Sequence, residues 1–284
     1  MAPAPPPVAS PLSPSTPQPP QPPPPAPAPS SPAPKAIAIE HPRAPSVPIQ
    51  EEARYDVRYG WLGSVGEVVL SAGAIDRASD GLRILRLRGE GQGAVLGLGA
   101  LRRQLESELE LVSLGARRWT AARPSAKVNG GGPVDTATRA SGNAWVLERA
   151  TPGQPPARQT VTFQAPTADP LGLLWRLRTA PPAVGHDESY QLLDGQQLWR
   201  VDLAAARRAE ILAEGGTALR FDGTLSPLNF DGSPDPGRPT RTFTLWLSDG
   251  PGHLPLRLEV PVGLGDVVIT LAGARKLAVT PSPG

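Results

Sequence analysis

Twenty of the chain's 38 prolines fall within its first 50 residues, and this asymmetry divides the chain before any element is assigned. Proline lacks a backbone N–H and has a fixed φ, so a dense run of it continues neither a helix nor a central strand. Residues 1–34 also carry no charged side chain and little that is large and apolar. Such a segment cannot bury enough surface to offset its ordering entropy, and it is expected to be disordered or loosely polyproline. Fully extended as polyproline, residues 1–50 would reach roughly 150 Å at ~3.1 Å per residue, which makes a semi-stiff spacer. A proline-motif ligand is disfavoured, because residues 1–34 lack the arginine that usually orients such peptides. The other 234 residues hold only 18 prolines and suit one large domain. The expected organisation is a Pro/Ala-rich spacer over 1–50, a single β-rich domain over 51–275 and a flexible tail over 276–284.

Charge excludes more than it reveals. Lys and Arg number 28 against 26 Asp and Glu, and only Lys35, Lys127 and Lys276 are lysines. The densest basic cluster, Arg117-Arg118 followed by Arg123, is short. Nucleic-acid binding would need a basic stripe with stacking aromatics, so none is expected. The absence of cysteine removes disulfides, zinc–thiolate sites and a thiol nucleophile. No stretch reaches the ~18 apolar residues of a membrane-spanning helix. Met1 runs into Ala-Pro-Ala-Pro-Pro-Pro-Val without the basic start and apolar core of a signal peptide.

From Arg54 the pattern becomes one of short strands. Tyr55, Val57, Tyr59 and Trp61 alternate with Asp56, Arg58 and Gly60, the period of a half-buried strand. Gly63-Ser64 reads as a turn into a strand over 65–70, followed by one over 82–88. Leu105, Ser107, Leu109 and Leu111 then alternate with Glu106, Glu108 and Glu110. A helix would scatter the three glutamates, whereas a strand sets them in one solvated row. Further strands are expected over 144–149, 160–164, 197–203, 209–213, 218–221, 242–247, 256–260 and 266–271. Hairpin signals are Asp194-Gly195, Gly215-Gly216, Asp222-Gly223 and Asp249-Gly250. Asp169-Pro170 supplies an N-cap and first-turn proline for a helix over 171–178, stopped by Pro181-Pro182. Residues 93–103 read as a second, weaker helix. The fold class is mainly β: an antiparallel curled sheet or partly open barrel or sandwich with one or two short helices.

The C-terminal third carries an ordered set of motifs. Thr244-Leu245-Trp246-Leu247-Ser248-Asp249 is followed by His253-Leu254-Pro255-Leu256-Arg257-Leu258-Glu259, then by Gly263-Leu264-Gly265-Asp266-Val267. Upstream lie the helix beginning at Asp169, the hairpin Leu193-Asp194-Gly195-Gln196-Gln197-Leu198, and the opening pair Tyr55 to Tyr59 with Val65-Gly66-Glu67. Their order over residues 54–272 resembles the uncharacterised bacterial family known as domain of unknown function 3108. Residues 90–160 match that pattern poorly. The resemblance implies a β-rich extracytoplasmic domain, commonly preceded by a signal peptide or membrane anchor, and it implies no catalytic residue.

Groups that could carry chemistry are few. His41 lies in the spacer, His186 opens His186-Asp187-Glu188-Ser189, and His253 lies in a turn. Sequence neighbours do not generally make a hydrolytic triad, and Ser64 in Leu62-Gly63-Ser64-Val65-Gly66 lacks the first glycine of a nucleophile elbow. Gly89-Glu90-Gly91-Gln92-Gly93-Ala94 satisfies the loose dinucleotide pattern. Its strand carries three arginines and no βαβ alternation follows, so it reads as a flexible glycine loop. Asp231 and Asp235 share a turn without calcium-loop spacing, so no metal or other cofactor is expected. Tryptophans are more suggestive: Trp61, Trp145, Trp175, Trp199 and Trp246 are candidate wall residues of an apolar cavity under the helix. The alternative for them is ordinary core packing.

The expected function is that of a non-enzymatic periplasmic or otherwise extracytoplasmic envelope protein. It would bind a lipid or lipidated polypeptide in a half-open barrel and reach the membrane only through an anchor outside this chain. A scaffolding module with envelope protein partners is the second reading, and a hydrolase or glycan-processing enzyme the third.

Overall fold

Every second residue of the first strand points inward, and the same rule organises the whole sheet. The structure, a computed structural model, describes residues 50–78, 80–95, 99–123, 132–211, 216–263 and 265–277; all of the proposed spacer except Gln50 lies outside them. Strands β1 (Glu51–Tyr59), β2 (Gly63–Arg77), β3 (Arg83–Val95), β4 (Gly99–Glu110), β5 (Ala116–Ala122), β6 (Val134–Ser141), β7 (Ala144–Ala150) and β8 (Ala157–Thr162) form an antiparallel meander. Then come β9 (Thr167–Ala168), helix α1 (Pro170–Thr179), β10 (Glu188–Asp194), β11 (Gln197–Leu203), β12 (Arg207–Ile211), β13 (Gly216–Leu228), β14 (Arg241–Ser248), β15 (Pro255–Val262) and β16 (Gly265–Lys276). β16 pairs with β1 from Glu51↔Lys276 to Tyr59↔Val267, which joins the two halves of the chain at mid-sheet. The resulting sheet runs from β8 at one edge to β9 at the other, with β12 paired to β13, and does not close into a barrel.

Helix α1 fills the concave side. Its N-cap Asp169 accepts the Leu171 and Gly172 N–H groups at 3.0 and 2.9 Å, and Pro170 stands where no N–H is needed. Leu171 and Trp175 enter a buried cluster with Leu85, Leu109 and Trp119. Leu173 and Leu177 enter a second with Val201, Phe221 and Leu247. The helix therefore stands between the two halves of the curled sheet and packs against both. On β4, Ser107 and Leu109 are buried while the glutamates face out. Glu106 pairs with Arg88, Glu108 with Arg86 and Glu110 with Arg139. Arg86 and Arg88, two of the arginines that interrupt β3, thus find partners on the outer face, where such exposed pairs contribute about 0–1 kcal/mol each.

Three expectations are corrected. Residues 93–103 form no second helix: β3 runs on to Val95 and β4 begins at Gly99, with Gln92 paired to Arg102 and Gly91 to Arg103. Helix there would set glycines, each costing about 1 kcal/mol, against a full strand ladder. Asp222-Gly223 is no turn but lies inside β13, where the Phe243 ring occupies the space a Gly223 side chain would need. The Gly63-Ser64 turn sits one step earlier, as a 3-10 turn over Gly60–Leu62. Gly215 lies outside the described residues, while Asp194-Gly195 and Asp249-Gly250 do form turns.

Candidate functional site

The core stops at Tyr55. Tyr55 is 4% exposed, but the next inward residues of β1, Val57 and Tyr59, are only half-buried. Register carries that opening across the sheet: Val57 faces Gly66 on β2, Gly66 faces Gly93 on β3, and Val68 faces Gly91. With a period of two, Gly89, Gly91 and Gly93 all lie on the concave face, so this stretch of the inner surface has no side chains. At Gly93 a Cβ would fall 2.6 Å from the Val65 carbonyl oxygen, so β2 and β3 approach here as only glycine allows. At Gly91 the nearest atom would be a Val68 methyl at 3.6 Å, so that position has room.

The missing side chains leave a groove of about 580 Å³ walled by Val57, Tyr59, Val65, Val68 and Val267. Val68 is shared with an adjoining pocket of about 200 Å³ beneath the first turn of α1, lined by Tyr55, Leu70, Leu171, Leu174, Leu258 and Ile269 among others. This pocket is almost wholly apolar. The Tyr55 hydroxyl is buried there without a hydrogen-bond partner among the described residues, and burial pushes its pKa up, which keeps it a neutral phenol. The polar groups of the groove are Glu67, Gln92, Arg102, Arg103 and Arg123. Gln92 donates to Glu67, and Arg103 pairs with Asp194 at the tip of the β10–β11 hairpin.

The five tryptophans sit elsewhere than in this groove wall. Trp61 is 87% exposed in the turn between β1 and β2. Trp145 and Trp175 are packed in the first cluster, around a fully buried Trp119. Trp199 lies in the half of the sheet built by β10–β14, with Arg238 and Arg241 over its ring at 5.0 and 5.9 Å. Trp246 alternates with the buried Leu245 and Leu247, so it faces out, covered by Arg220 and Arg257 at 5.3 and 5.4 Å.

The reactive-looking motifs are absorbed locally. Ser189 donates to Asp202 at 2.6 Å, and Asp187 accepts the Ala205 N–H at 2.7 Å, so the loop beginning at the exposed His186 assembles no triad. His253 is half-buried against the Ser248 carbonyl at 3.0 Å. Among the described residues neither histidine pairs with an acid. Asp231 accepts from Ser233, and Asp235 holds Arg238 at 2.7 Å, closing the 231–237 turn on itself. No three potential metal ligands converge among the described residues. Gly89-Glu90-Gly91-Gln92-Gly93-Ala94, the dinucleotide-like run, is continuous strand and supplies the groove floor instead of a loop.

A family model described as protein of unknown function (DUF3108) matches residues 54–272. The chain belongs to that family. Among solved structures, this DUF3108 chain is similar to the beta-barrel-like protein of domain of unknown function DUF1849 from Brucella abortus. The likeness has a TM-score of 0.53 at 10% identity and covers 82% of this chain and 99% of that one. What the two share is the β-barrel-like fold. A putative exported protein with YmcC-like fold from Bacteroides fragilis matches at 9% identity over 82% of this chain and 100% of that one, with a TM-score of 0.34. LprF from Mycobacterium bovis matches at 12% identity over 82% and 90%, with a TM-score of 0.27. Neither of these two is close enough in geometry to carry an inference about the DUF3108 chain. No curated protein matches its sequence.

Proposed function

We propose that this DUF3108 protein is a non-enzymatic, extracytoplasmic component of the cell envelope that binds an apolar or lipid-like ligand in its half-open barrel. The observation that carries the reading is the glycine-floored groove of about 580 Å³, within the range of small-molecule sites, with an apolar pocket on the other side of Val68. A packed β-barrel would fill those positions with side chains. Extracytoplasmic placement is supported by the proline-rich first 50 residues, whose composition suits a spacer.

Gly91→Leu tests the site. A Cβ at Gly91 would meet nothing closer than a Val68 methyl at 3.6 Å, so the variant is expected to keep its fold while the rest of the leucine extends into the groove. The expected result is a loss of affinity for a neutral fluorescent lipid probe of about tenfold or more, equivalent to at least ~1.4 kcal/mol, with an unchanged unfolding midpoint. Native mass spectra of protein purified from envelopes should show lipid adducts on the natural chain and fewer on the variant. A natural chain that carries no lipid and binds no probe would sink the reading.

The scaffolding alternative has one observation in its favour. β8 is an edge strand whose residues, Val161 excepted, are exposed, and its free backbone groups offer a template for a partner strand. Proline placed at Gln159 would abolish capture of such a partner without affecting probe binding.

A further inference from the structure

We infer that the groove selects a single-chain amphiphile with an anionic head group, and that Arg102 and Arg123 at its mouth receive that head group. The inference rests on the lipid-like reading of the groove and adds the chemistry of the ligand.

Register brings two of the cations to the concave side and the third to the rim. Gly91 on β3 faces Arg103 on β4, which puts Arg103 on the concave side, and Gln104 faces Ala122 on β5, so Arg123, one residue on, lies beside Arg103; Arg102, opposite Gln92, starts from the other face and reaches the groove only at its rim. All three arginines line the groove whose other wall is valine and glycine. Arg103 is already paired with Asp194, although its Nε has no partner among the described residues. Arg102 and Arg123 have no carboxylate partner among the described residues, whereas most arginines of the outer sheet face do. The one acid of the groove lining, Glu67, accepts the Gln92 amide. Glu67 keeps its charge, so three arginines stand against Glu67 and Asp194, and the lining keeps one net positive charge next to an apolar floor. A guanidinium binds carboxylate or phosphate through paired N–H donors, and such charge-assisted bonds strengthen next to a surface that excludes water.

The shape sets the rest of the ligand. From Tyr59 at the mouth to Tyr55 in the inner pocket is four residues of strand, roughly 13 Å at ~3.3 Å per residue. On the other side of Val68 from the groove of about 580 Å³ lies the smaller pocket of about 200 Å³. That inner pocket, closed by Leu171 and Leu174 of α1, suits the end of one alkyl chain. A neutral head group gains nothing from the mouth, and a cationic one is repelled by it.

Displacement of the neutral probe N-phenyl-1-naphthylamine from the full chain distinguishes the cases. Laurate and dodecyl phosphate should displace it at concentrations about tenfold lower than dodecanol, dodecyltrimethylammonium should be weaker still, and inorganic phosphate should not displace it. The double variant Arg102→Gln/Arg123→Gln, at two exposed positions, should erase the advantage of the anions and leave dodecanol unchanged. Equal displacement by laurate and dodecanol in the natural chain overturns the head-group assignment while the groove stands. Displacement by inorganic phosphate alone overturns the amphiphile in favour of a free-anion site. If the probe and every alkyl compound fail to bind, the lipid-like reading falls, and this inference with it.

Discussion

Arg178→Met should cost the fold about 3–5 kcal/mol, the usual consequence of removing one partner of a buried ion pair. Arg178 stands in the last turn of α1 with its side chain 8% exposed, paired with Glu51, whose side chain is 10% exposed. Its Nε also donates to the Gly252 carbonyl at 3.1 Å, and its guanidinium lies 4.9 Å from the centre of the Trp175 ring. One side chain thus ties the helix to the first strand and to the turn between β14 and β15. Methionine keeps much of the volume but leaves the Glu51 carboxylate buried without a counter-charge. Urea denaturation should show a midpoint far below that of the natural chain. The double variant Glu51→Gln/Arg178→Met should recover most of the loss, because it removes the stranded charge. A loss below about 1 kcal/mol for the single variant would mean that the pair is hydrated and does not hold the helix.

Asp169 should make stability depend on pH in the direction opposite to most carboxylates. Complete burial pushes its pKa up from 3.8 to about 6, against the lowering effect of the bonds from Ser107, Gly172 and Leu171. Oδ1 accepts both backbone N–H groups, while Oδ2 lies 2.7 Å from the Ser107 hydroxyl. A protonated Oδ2 can donate to that hydroxyl while Oδ1 goes on capping the helix, so the neutral acid keeps every bond. The folded chain therefore holds this proton more tightly than the unfolded chain does. The stability linked to it is complete below pH 3.8 and is lost as pH rises through about 6, amounting to about 3 kcal/mol. The variant Asp169→Asn places an amide where the protonated oxygen stood and should reproduce the neutral acid at every pH. It should thus match the natural chain near pH 4 and exceed it near pH 8. Equal stability of the two at pH 8 would show that the ionised carboxylate is fully compensated. Asp169→Ala should lose stability at both pH values, because the cap and the Ser107 partner go together.

Local order along the chain was readable where side chains alternate strongly or a cap is chemically distinct. The glutamate row of β4, the Tyr55-Val57-Tyr59 face of β1, and the Asp169-Pro170 helix start all lie where their periods place them. β5 and β6 leave little mark in the sequence, because their buried positions include Ala116, Ala121, Ala137 and the polar Asp135, too small or too polar to register as an apolar alternation. Trp119 alone marks β5, and it is buried completely. The groove had a signal of its own in glycine at every second residue from 89 to 93. Within a strand that spacing strips one face, although read alone it resembles a phosphate loop. Number and position in strands or on the helix single out the tryptophans in the sequence, whereas the groove is defined by what is missing from its floor.

The sequence by itself determined the β-rich class, the single strong helix, the family and the proline-rich segment, because periodicity, capping and composition are properties of neighbouring residues. Only the tertiary structure decided that Gly66, Gly91 and Gly93 share one concave surface, that Arg103 meets Asp194 across 91 residues, and that Arg178 meets Glu51 across 127. Those meetings are set by strand register and by the curl of the sheet around α1. Both come from long-range pairing whose energy no single stretch of chain contains.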